Sequence, residues 1–373
     1  MEKVSNMQTK LFKFPSIGDQ IHATMVDWSI KENERLGEDS VEYIKSPINY
    51  TGNKFRILNQ IDKYFPRDVD VFVDLFCGGA TVGFNVNAKK IILVDNNIFV
   101  IALLKHLASS DYLTLKRRLE LLIAEYNLSY SAKHGYGYYR EQGYVSGNNG
   151  LKEFNHDGFY NLRATFNRQK DKLTGHSLDM LYMLMVYGFN NDIRFNRNDE
   201  FNLPVGKTDL NKNNLQKLEQ YIVRAKKIDY EFVCGDFRDK KIKKVLLKAD
   251  FVYADPPYMI TNAVYNESNK WGNQTERELL SLLQELDNHK VRFALSNVIS
   301  KEGIINEPLE AWVKLGNIKC ESINYHYRSS SYNKKNRWAN EKEVLITNGH
   351  KRTFENPEQA IYWKQKEGFA PSI

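Results

Sequence analysis

The sequence predicts an α/β protein built on a doubly wound, mainly parallel sheet that is interrupted by a mainly helical insertion. Short apolar segments rich in β-branched and aromatic residues recur along the chain, and helical patterns lie between several of them. This alternation stops in the middle of the chain, where Asn, Tyr and Arg are frequent. The length of 373 residues suits one large domain with an insertion, or two domains that share an interface.

Five apolar segments are predicted to be buried parallel strands because each ends in turn-forming or acidic residues. They are VFVDLF, IILVD, YEFVCGD, FVYADPP and VRFALSN, at residues 71–76, 91–95, 230–236, 251–257 and 291–297. Helical patterns cover residues 97–110 and 275–288, and Thr275 is expected to open the second helix. Residues 341–348 predict a further strand at an antiparallel edge.

The insertion is predicted to occupy residues 105–226, so residues 1–104 and 227–373 carry the sheet. Residues 188–206, GFNNDIRFNRNDEFNLPVG, predict a hairpin near 190–206 that turns around NRND. No internal repeat is found.

The composition excludes several classes of protein. With 42% hydrophobic and 27% charged residues, the chain is typical of a globular protein. No apolar run reaches roughly eighteen residues, and the N-terminus lacks a secretory pattern, so we expect a cytoplasmic protein without a membrane partner. Three separated cysteines and eight unpaired histidines predict neither a disulfide framework nor a metal site. The net charge of +7 suits a polyanionic partner.

The segment DLFCGG at residues 74–79 indicates a small-ligand site. The strand runs into Gly78 and Gly79, which allow close approach of the backbone to a ligand, although glycines also occur in plain turns. Asp95 ends the next strand at the offset where doubly wound folds bind ribose hydroxyls. Because no phosphate-binding glycine motif occurs, a phosphate-free nucleoside such as S-adenosylmethionine is favoured. Asp74 could then pair with its ammonium group.

The segment ADPPY at residues 254–258 predicts a site for an amino group. Asp255 stands at the carboxyl end of a strand, where such sheets bind ligands. Pro256 and Pro257 remove two backbone donors and leave rigid carbonyl acceptors. Asp255 and a carbonyl near Pro256 would accept the two hydrogens of an exocyclic amine, and Tyr258 would stack on its heterocycle. Methyl transfer to that amine is a direct displacement that needs no metal. A simple strand-ending turn is the alternative.

Four motifs follow one another along the chain: NYTGNK at 49–54, DLFCGG at 74–79, CGDF at 234–237 and DPPY at 255–258. Together, and in this order, they resemble the motifs of the Dam-type (D12 class, alpha group) DNA adenine-N6 methyltransferases. The resemblance spans about residues 46–348, and FYNLRATFN at 159–167 and RFNRNDEFNLPVG at 194–206 are similar to the family's recognition domain.

The resemblance implies a site-specific DNA methyltransferase that moves a methyl group from S-adenosylmethionine to N6 of a flipped adenine in double-stranded DNA. Residues 1–104 and 227–373 would form the catalytic, cofactor-binding domain, and residues 105–226 the target-recognition domain. A GAT-containing site such as GATC is expected, in a stand-alone enzyme or one paired functionally, not physically, with a restriction endonuclease. A monomer or weak dimer is expected. Alternatives are an N4-cytosine or RNA amino-methyltransferase, and a non-catalytic nucleic-acid-binding protein.

The resemblance also implies which residues bind each partner. Asp255, Pro256, Pro257 and Tyr258 would be catalytic. Cofactor-binding residues would be Tyr50, Gly52, Lys54, Asp74, Phe76, Cys77, Gly78, Gly79, Asp95, Asn96, Asp236, Phe237 and Asp255. DNA-binding residues would be Lys54, Arg163, Arg194, Asn196, Arg197, Asn198, Asn202, Pro204, Arg328, Lys334, Lys335 and Arg337, the last four in a basic loop that could equally be a solvated surface.

Some positions depart from the family pattern. Tyr50 and Asn53 stand where relatives often have tryptophan and a second glycine. In the hairpin, Asp199 stands where glycine is common, and Asn198 replaces a basic residue. These departures leave the recognition sequence open.

Overall fold

The computed structural model describes residues 43–145, 149–260, 271–315, 318–323 and 341–350. The chain divides into two units, Met1–Tyr43 and Ile44–Ile373. Every element described below belongs to the second unit.

A mixed α/β arrangement with one central sheet forms this unit. The strands described are β1 (Val71–Leu75), β2 (Lys90–Asp95), β3 (Asp229–Cys234), β4 (Phe251–Ala254), β5 (Arg292–Lys301), β6 (Ile304–Ile305), β7 (Lys319–Ser322) and β8 (Glu341–Thr347). Their order is β3-β2-β1-β4-β5-β8-β7, with β6 paired to β5. The first five strands are parallel, whereas β8 is antiparallel to both β5 and β7.

The strand order reverses at β1, which lies between β2 and β4. Leu75, at the end of β1, pairs with Val94 on one side and with Ala254 on the other. The carboxyl ends of three strands therefore meet at one edge of the sheet. In doubly wound sheets the crevice at such a point is where ligands bind.

The core lies between the sheet and the helices that cover it. In helix Asn273–Asn288, Leu279, Leu283 and Leu286 are fully buried and join Phe293 of β5 in one apolar cluster. Burial of a side chain of this size contributes about 1.5–3 kcal/mol. This packing holds β4 and β5 in place beneath the crevice.

The same helix begins earlier than the sequence predicts. Its N-cap is Gly272, and Thr275 lies inside the first turn, so the prediction that Thr275 opens the helix is wrong. Glu276 accounts for the difference, because its carboxylate is fully buried and accepts hydrogen bonds from Trp271 at 2.6 Å and Asn297 at 2.9 Å. These contacts tie the first turn to β5.

The six predicted strands are confirmed, with shifted ends, but the prediction that β3 is buried is wrong, because β3 lies at the edge of the sheet and is partly exposed. β4 stops at Ala254, so Asp255 lies in the loop after the strand rather than inside the strand predicted over 251–257. The prediction that the last strand is an edge is wrong, because β7 pairs with the outer side of β8. The KCES sequence of β7 is too polar and too short to be recognised as a strand.

Between β2 and β3 the chain is mainly helical. The helices described there are Ile98–Ser109, Tyr112–Glu125, Ser131–Glu141, Lys152–Arg168, Gly175–Tyr187 and Lys212–Ala225. The last one packs on the sheet unit, since Tyr221 stacks on Phe84 at 4.2 Å and Arg224 donates to the Phe84 and Val86 carbonyls. Across the part of the chain that is described, no helix has the length and apolar character needed to cross a membrane.

Candidate active site

Asp255 is the first residue after β4, and its carboxylate is held from two sides. Its backbone N–H donates to the Leu75 carbonyl at 3.2 Å, which fixes the loop at the end of β1. Its Oδ2 lies 2.8 Å from the Lys54 ammonium, and its Oδ1 accepts a hydrogen bond from the Tyr258 hydroxyl at 3.1 Å. Burial raises the pKa of Asp255, although Lys54 and Tyr258 oppose this shift. The carboxylate is therefore more basic than an exposed aspartate.

A second buried carboxylate, Glu343, faces the same two side chains from β8. Its Oε1 accepts from the Tyr258 hydroxyl at 3.0 Å and lies 3.9 Å from the Lys54 ammonium. Glu343 is 2% exposed and Lys54 is 4% exposed. One ammonium thus faces two carboxylates, and this group of four residues has an excess negative charge when Asp255 and Glu343 are both ionised. Sequence reasoning missed Glu343, because the charges of EKEVLIT are typical of an exposed edge strand.

Lys54 is held within the crevice. Besides the ion pair with Asp255, its ammonium donates to the Gly52 carbonyl at 3.0 Å and lies 4.9 Å from the centre of the Tyr258 ring. These contacts place Lys54 beside Asp255, and its contact with DNA stays a prediction.

Gly78 and Gly79 follow β1 and lie beneath the loop that contains Ser46 and Tyr50. Gly78 has a φ of +48°, a conformation that favours glycine. A Cβ at Gly78 would lie 2.7 Å from the Tyr50 ring, and a Cβ at Gly79 would lie 3.0 Å from the Ser46 hydroxyl. In this structure the bare glycines are therefore needed for loop packing, a reason that the sequence pattern did not indicate.

Asp95 ends β2 next to these glycines. Its Oδ1 accepts the Asn97 N–H at 2.9 Å and its Oδ2 accepts the Gly78 N–H at 3.0 Å. A carboxylate oxygen has two acceptor sites, so Asp95 retains capacity for two further donors. Burial raises the pKa of Asp95, and burial together with the Asp95 charge raises that of Tyr50. The neighbouring Asn96 is exposed.

Asp74 lies within β1 and is 1% exposed. Its Oδ2 accepts the Gly83 N–H at 2.8 Å. Burial raises the pKa of Asp74 to about 8, and the charges of Asp255 and Asp95 act in the same direction. A cation beside Asp74 would favour its ionised form, so the three aspartates give the crevice an affinity for positive charge.

An aromatic cluster adjoins the glycine turn. The Phe76 ring lies 5.5 Å from the rings of both Phe237 and Trp271. Phe76 has a φ of +66°, a left-handed conformation that costs a bulky residue about 1–3 kcal/mol and that clusters at ligand sites. Trp271 belongs to none of the sequence motifs, so the sequence did not predict that it would join this cluster.

The remaining predicted site residues have varied surroundings. The Asp236 carboxylate accepts from Arg238 at 2.7 Å, and this contact lowers the pKa of Asp236. Cys77 is buried, and burial raises the pKa of its thiol, so it is an uncharged lining residue. Pro256 is buried and Pro257 is exposed.

The predicted hairpin is present in the helical region. Antiparallel bridges join Gly188 to Val205 and Phe195 to Phe201. Asp199 has a φ of +54°, a conformation that explains a preference for glycine at this position. Aspartate adopts it more readily than most other residues, so the turn is kept.

Four of the predicted DNA-contacting residues lie exposed on the hairpin, namely Arg194, Arg197, Asn198 and Pro204. The Arg194 Nε donates to the Asn202 side chain at 2.8 Å, so Asn202 orients Arg194 across the two arms. The exposed guanidinium groups of Arg194 and Arg197 remain candidates for reading bases.

Two other predicted DNA contacts stabilise the hairpin itself. The Asn196 Oδ1 accepts the N–H groups of Asn198 and Glu200, at 2.9 and 3.0 Å. Arg163 donates to the Leu203 carbonyl at 2.9 Å. Both side chains therefore help to hold the turn and its base, and their contact with DNA stays a prediction.

The hairpin contacts both the helix that follows β2 and the loop over the glycines. Phe195 stacks on Phe99 at a ring distance of 4.0 Å. The Asn49 side chain donates to the Asn190 carbonyl at 2.8 Å, so the loop over the glycines contacts the foot of the hairpin.

Other predicted residues lie outside the described part of the chain. These are Arg328, Lys334, Lys335 and Arg337 of the basic loop. Within the described ranges, no group of three or more His, Cys, Asp or Glu residues is arranged to hold a metal ion.

Comparison with known proteins identifies the class to which this fold and site belong. A family model described as D12 class N6 adenine-specific DNA methyltransferase matches residues 50–343. The match includes the crevice residues from Tyr50 to Glu343. The chain belongs to this family.

Two relatives are named as modification enzymes. The chain is 36% identical over 329 residues to the type II methyltransferase M.FokI of Planomicrobium okeanokoites, which covers 86% of this chain and 46% of that protein. It is 33% identical over 319 residues to the modification methylase StsI of Streptococcus sanguinis, covering 84% and 44%. The chain thus spans less than half the length of either relative.

A shorter relative is less similar in sequence, but the match covers more of its own length. The DNA adenine methylase of Escherichia coli K12 is 24% identical over 256 residues, which covers 67% of this chain and 79% of that protein.

Proposed function

We propose that the chain transfers a methyl group from S-adenosylmethionine to N6 of an adenine in double-stranded DNA. The observation that carries this proposal is the group formed by Asp255, Lys54, Tyr258 and Glu343, which stands at the switch point of the sheet. Membership of the D12 class supports the choice of adenine as the base.

The crevice residues fit the proposed cofactor. S-adenosylmethionine has an ammonium and a sulfonium group, and Asp74, Asp95 and Asp255 supply compensating negative charge. Asp95 has acceptor capacity for two ribose hydroxyls, and Phe76 and Phe237 offer ring faces for the adenine part. When bound, the cofactor supplies a methyl carbon activated by its positively charged sulfur.

Tyr258 prepares Asp255 to receive the amine. Its hydroxyl has one hydrogen and, within the described residues, faces two acceptors, Asp255 at 3.1 Å and Glu343 at 3.0 Å, so it donates to one of these two at a time. Donation to Glu343 releases a lone pair of Asp255 for the N6 amine of the target base. Lys54 meanwhile holds the other oxygen of Asp255 and fixes the direction of the free lone pair.

Asp255 is also able to accept the proton that the amine must lose. Transfer of the methyl group that the cofactor would supply requires the N6 nitrogen to lose one hydrogen ion. Because burial raises its pKa, Asp255 is able to hold this proton at Oδ1. No metal ion takes part in this scheme.

The hairpin would provide sequence recognition. Arg194 and Arg197 are exposed there, and arginine reads guanine edges in the major groove with two hydrogen bonds. An adenine inside a duplex is out of reach of Asp255, so the base must be flipped out. We propose a GAT-containing target, and a functional pairing with a restriction endonuclease, which agrees with the names of the modification enzymes among the relatives.

The proposal is tested by incubating unmethylated genomic DNA with the protein and S-adenosylmethionine, and by analysing the nucleosides by mass spectrometry. N6-methyladenine confined to one short motif is expected, and mapping its positions gives the target. N4-methylcytosine as the product would overturn the choice of base. Absence of any methylated base on DNA, with methylation of RNA, would overturn the choice of substrate.

A further inference from the structure

A basic cavity adjoins the loop that covers the glycines. Its volume is about 270 Å³, and its lining comes from residues 45–57 and from Lys217 of helix Lys212–Ala225. Asp74, Asp95 and Asp255 are absent from its lining. Ser46 and Gly52 of the loop do line it, so the loop borders both the acidic crevice and this cavity.

The lining of the cavity is rich in basic groups. Lys45, Arg56 and Lys217 contribute basic groups, and no Asp or Glu is among the lining residues. Within the described residues, neither Lys45 nor Lys217 forms an ion pair with a carboxylate; the Lys45 ammonium lies 5.3 Å from the centre of the Phe55 ring instead. Two amides, Asn49 and Asn53, add hydrogen-bonding capacity.

The positive charge of Lys217 is unfavourable in its surroundings, and a bound anion would offset this. It is half-buried on the inner side of its helix, and burial together with the charge of Lys45 lowers its pKa. Two ammonium groups that share a cavity repel each other, and an anion bound between them would attract both and so offset the repulsion. The geometry therefore provides a preformed site for a group with negatively charged oxygens.

The location of the cavity indicates which anion it takes. Asn49, one of its lining residues, donates to the Asn190 carbonyl at the foot of the hairpin. The cavity thus adjoins both the loop over the crevice and the element expected to enter the major groove. A DNA strand that delivers a base to Asp255 must carry its phosphates past these two elements.

We propose that Lys45 and Lys217 bind a backbone phosphate of the DNA and so fix the strand beside the flipped base. This proposal rests on the proposed function. A phosphate contact of this kind positions DNA without reading sequence, so it would act equally on cognate and unrelated duplexes.

The test measures the affinity for a duplex by fluorescence anisotropy over a series of salt concentrations. Lys45→Gln and Lys217→Gln are each expected to weaken binding by about 5- to 10-fold near 0.1 M salt and to reduce the slope of log K against log salt by about 1. Binding of S-adenosylmethionine should stay unchanged in both variants.

Lys248→Gln is the matched control. Lys248 is exposed and precedes β4, at the opposite edge of the sheet from the crevice, so its loss should leave the salt slope unaltered. A wild-type slope in both pocket variants would overturn the inference. Weaker binding of S-adenosylmethionine with an unchanged DNA slope would also overturn it, because the cavity would then serve the cofactor carboxylate. If wild-type protein yields no methylated DNA, the proposed function fails separately.

Discussion

Replacement of Lys54 by methionine removes an ammonium that lies between the buried carboxylate of Glu343 and the largely buried carboxylate of Asp255. The variant keeps the length and apolar stem of the side chain, so the change is mainly electrostatic. Loss of one partner from a buried ion pair costs about 3–5 kcal/mol of unfolding free energy. The Asp255 side chain is 17% exposed, which places the expected loss near the lower limit, at about 3 kcal/mol.

The loss should depend on pH in a defined direction. The folded-state pKa of Asp255 is raised, so ionisation of this group opposes folding as pH rises from the unfolded value through the folded value. Without Lys54, ionisation of Asp255 opposes folding more strongly. Denaturant unfolding should therefore show a small difference between wild type and Lys54→Met near pH 4 and a difference of about 3 kcal/mol at pH 8.

Two controls sharpen this prediction. Lys63→Met removes an exposed lysine from the same region and should change stability by less than about 0.5 kcal/mol. In an Asp255→Asn background, the loss caused by Lys54→Met should fall markedly, because the amide needs no counter-ion. A loss below about 1 kcal/mol, or one that is the same at pH 4 and pH 8, would refute the electrostatic reasoning.

Three further outcomes follow from the structure. Because the pKa of Asp74 is about 8, wild-type protein should release a proton when it binds S-adenosylmethionine at pH 7, and calorimetry in buffers of different ionisation enthalpy should find this release absent in Asp74→Asn. Gly78→Ala should weaken cofactor binding, because its Cβ would lie 2.7 Å from the Tyr50 ring; the additional change Tyr50→Ala should recover part of the loss, and no recovery would contradict the steric argument. Burial alone would raise the pKa of Asp179, but His106 and Arg118 outweigh it and lower the pKa. Arg118 is 38% exposed, so solvent screening reduces its contribution, and Arg118→Met should destabilise the fold by about 1–2 kcal/mol at neutral pH and by less as pH falls below 4, as measured by denaturant unfolding.

The sheet was predictable because its central strands are continuous apolar segments, whereas the polar edge strand β7 gave no such pattern. Asp95 and Asp255 were predictable for a related reason: Asp95 is the last residue of an apolar strand and Asp255 directly follows one, at the end of a doubly wound sheet where ligands bind. Local sequence therefore determines much of the edge at which the crevice forms.

Contacts between distant segments were not predictable. The pairing of Lys54 with Asp255 and Glu343 joins three segments that are far apart in the chain, and a lysine in a loop is typical of an exposed residue. The family resemblance implied that Asn196 and Arg163 contact DNA, and only the structure reveals that their side chains also hold the hairpin.

The central claim is that Asp255 is the group that holds and activates the amine. Single-turnover methylation of a duplex that contains the mapped target should be measured for wild type and Asp255→Ala, with DNA and S-adenosylmethionine binding determined on the same samples. Glu343 remains beside Lys54 in the variant, so the fold should survive. The account predicts a rate at least about 100-fold lower with both ligands still bound. Near-normal N6-methyladenine formation by Asp255→Ala would contradict it.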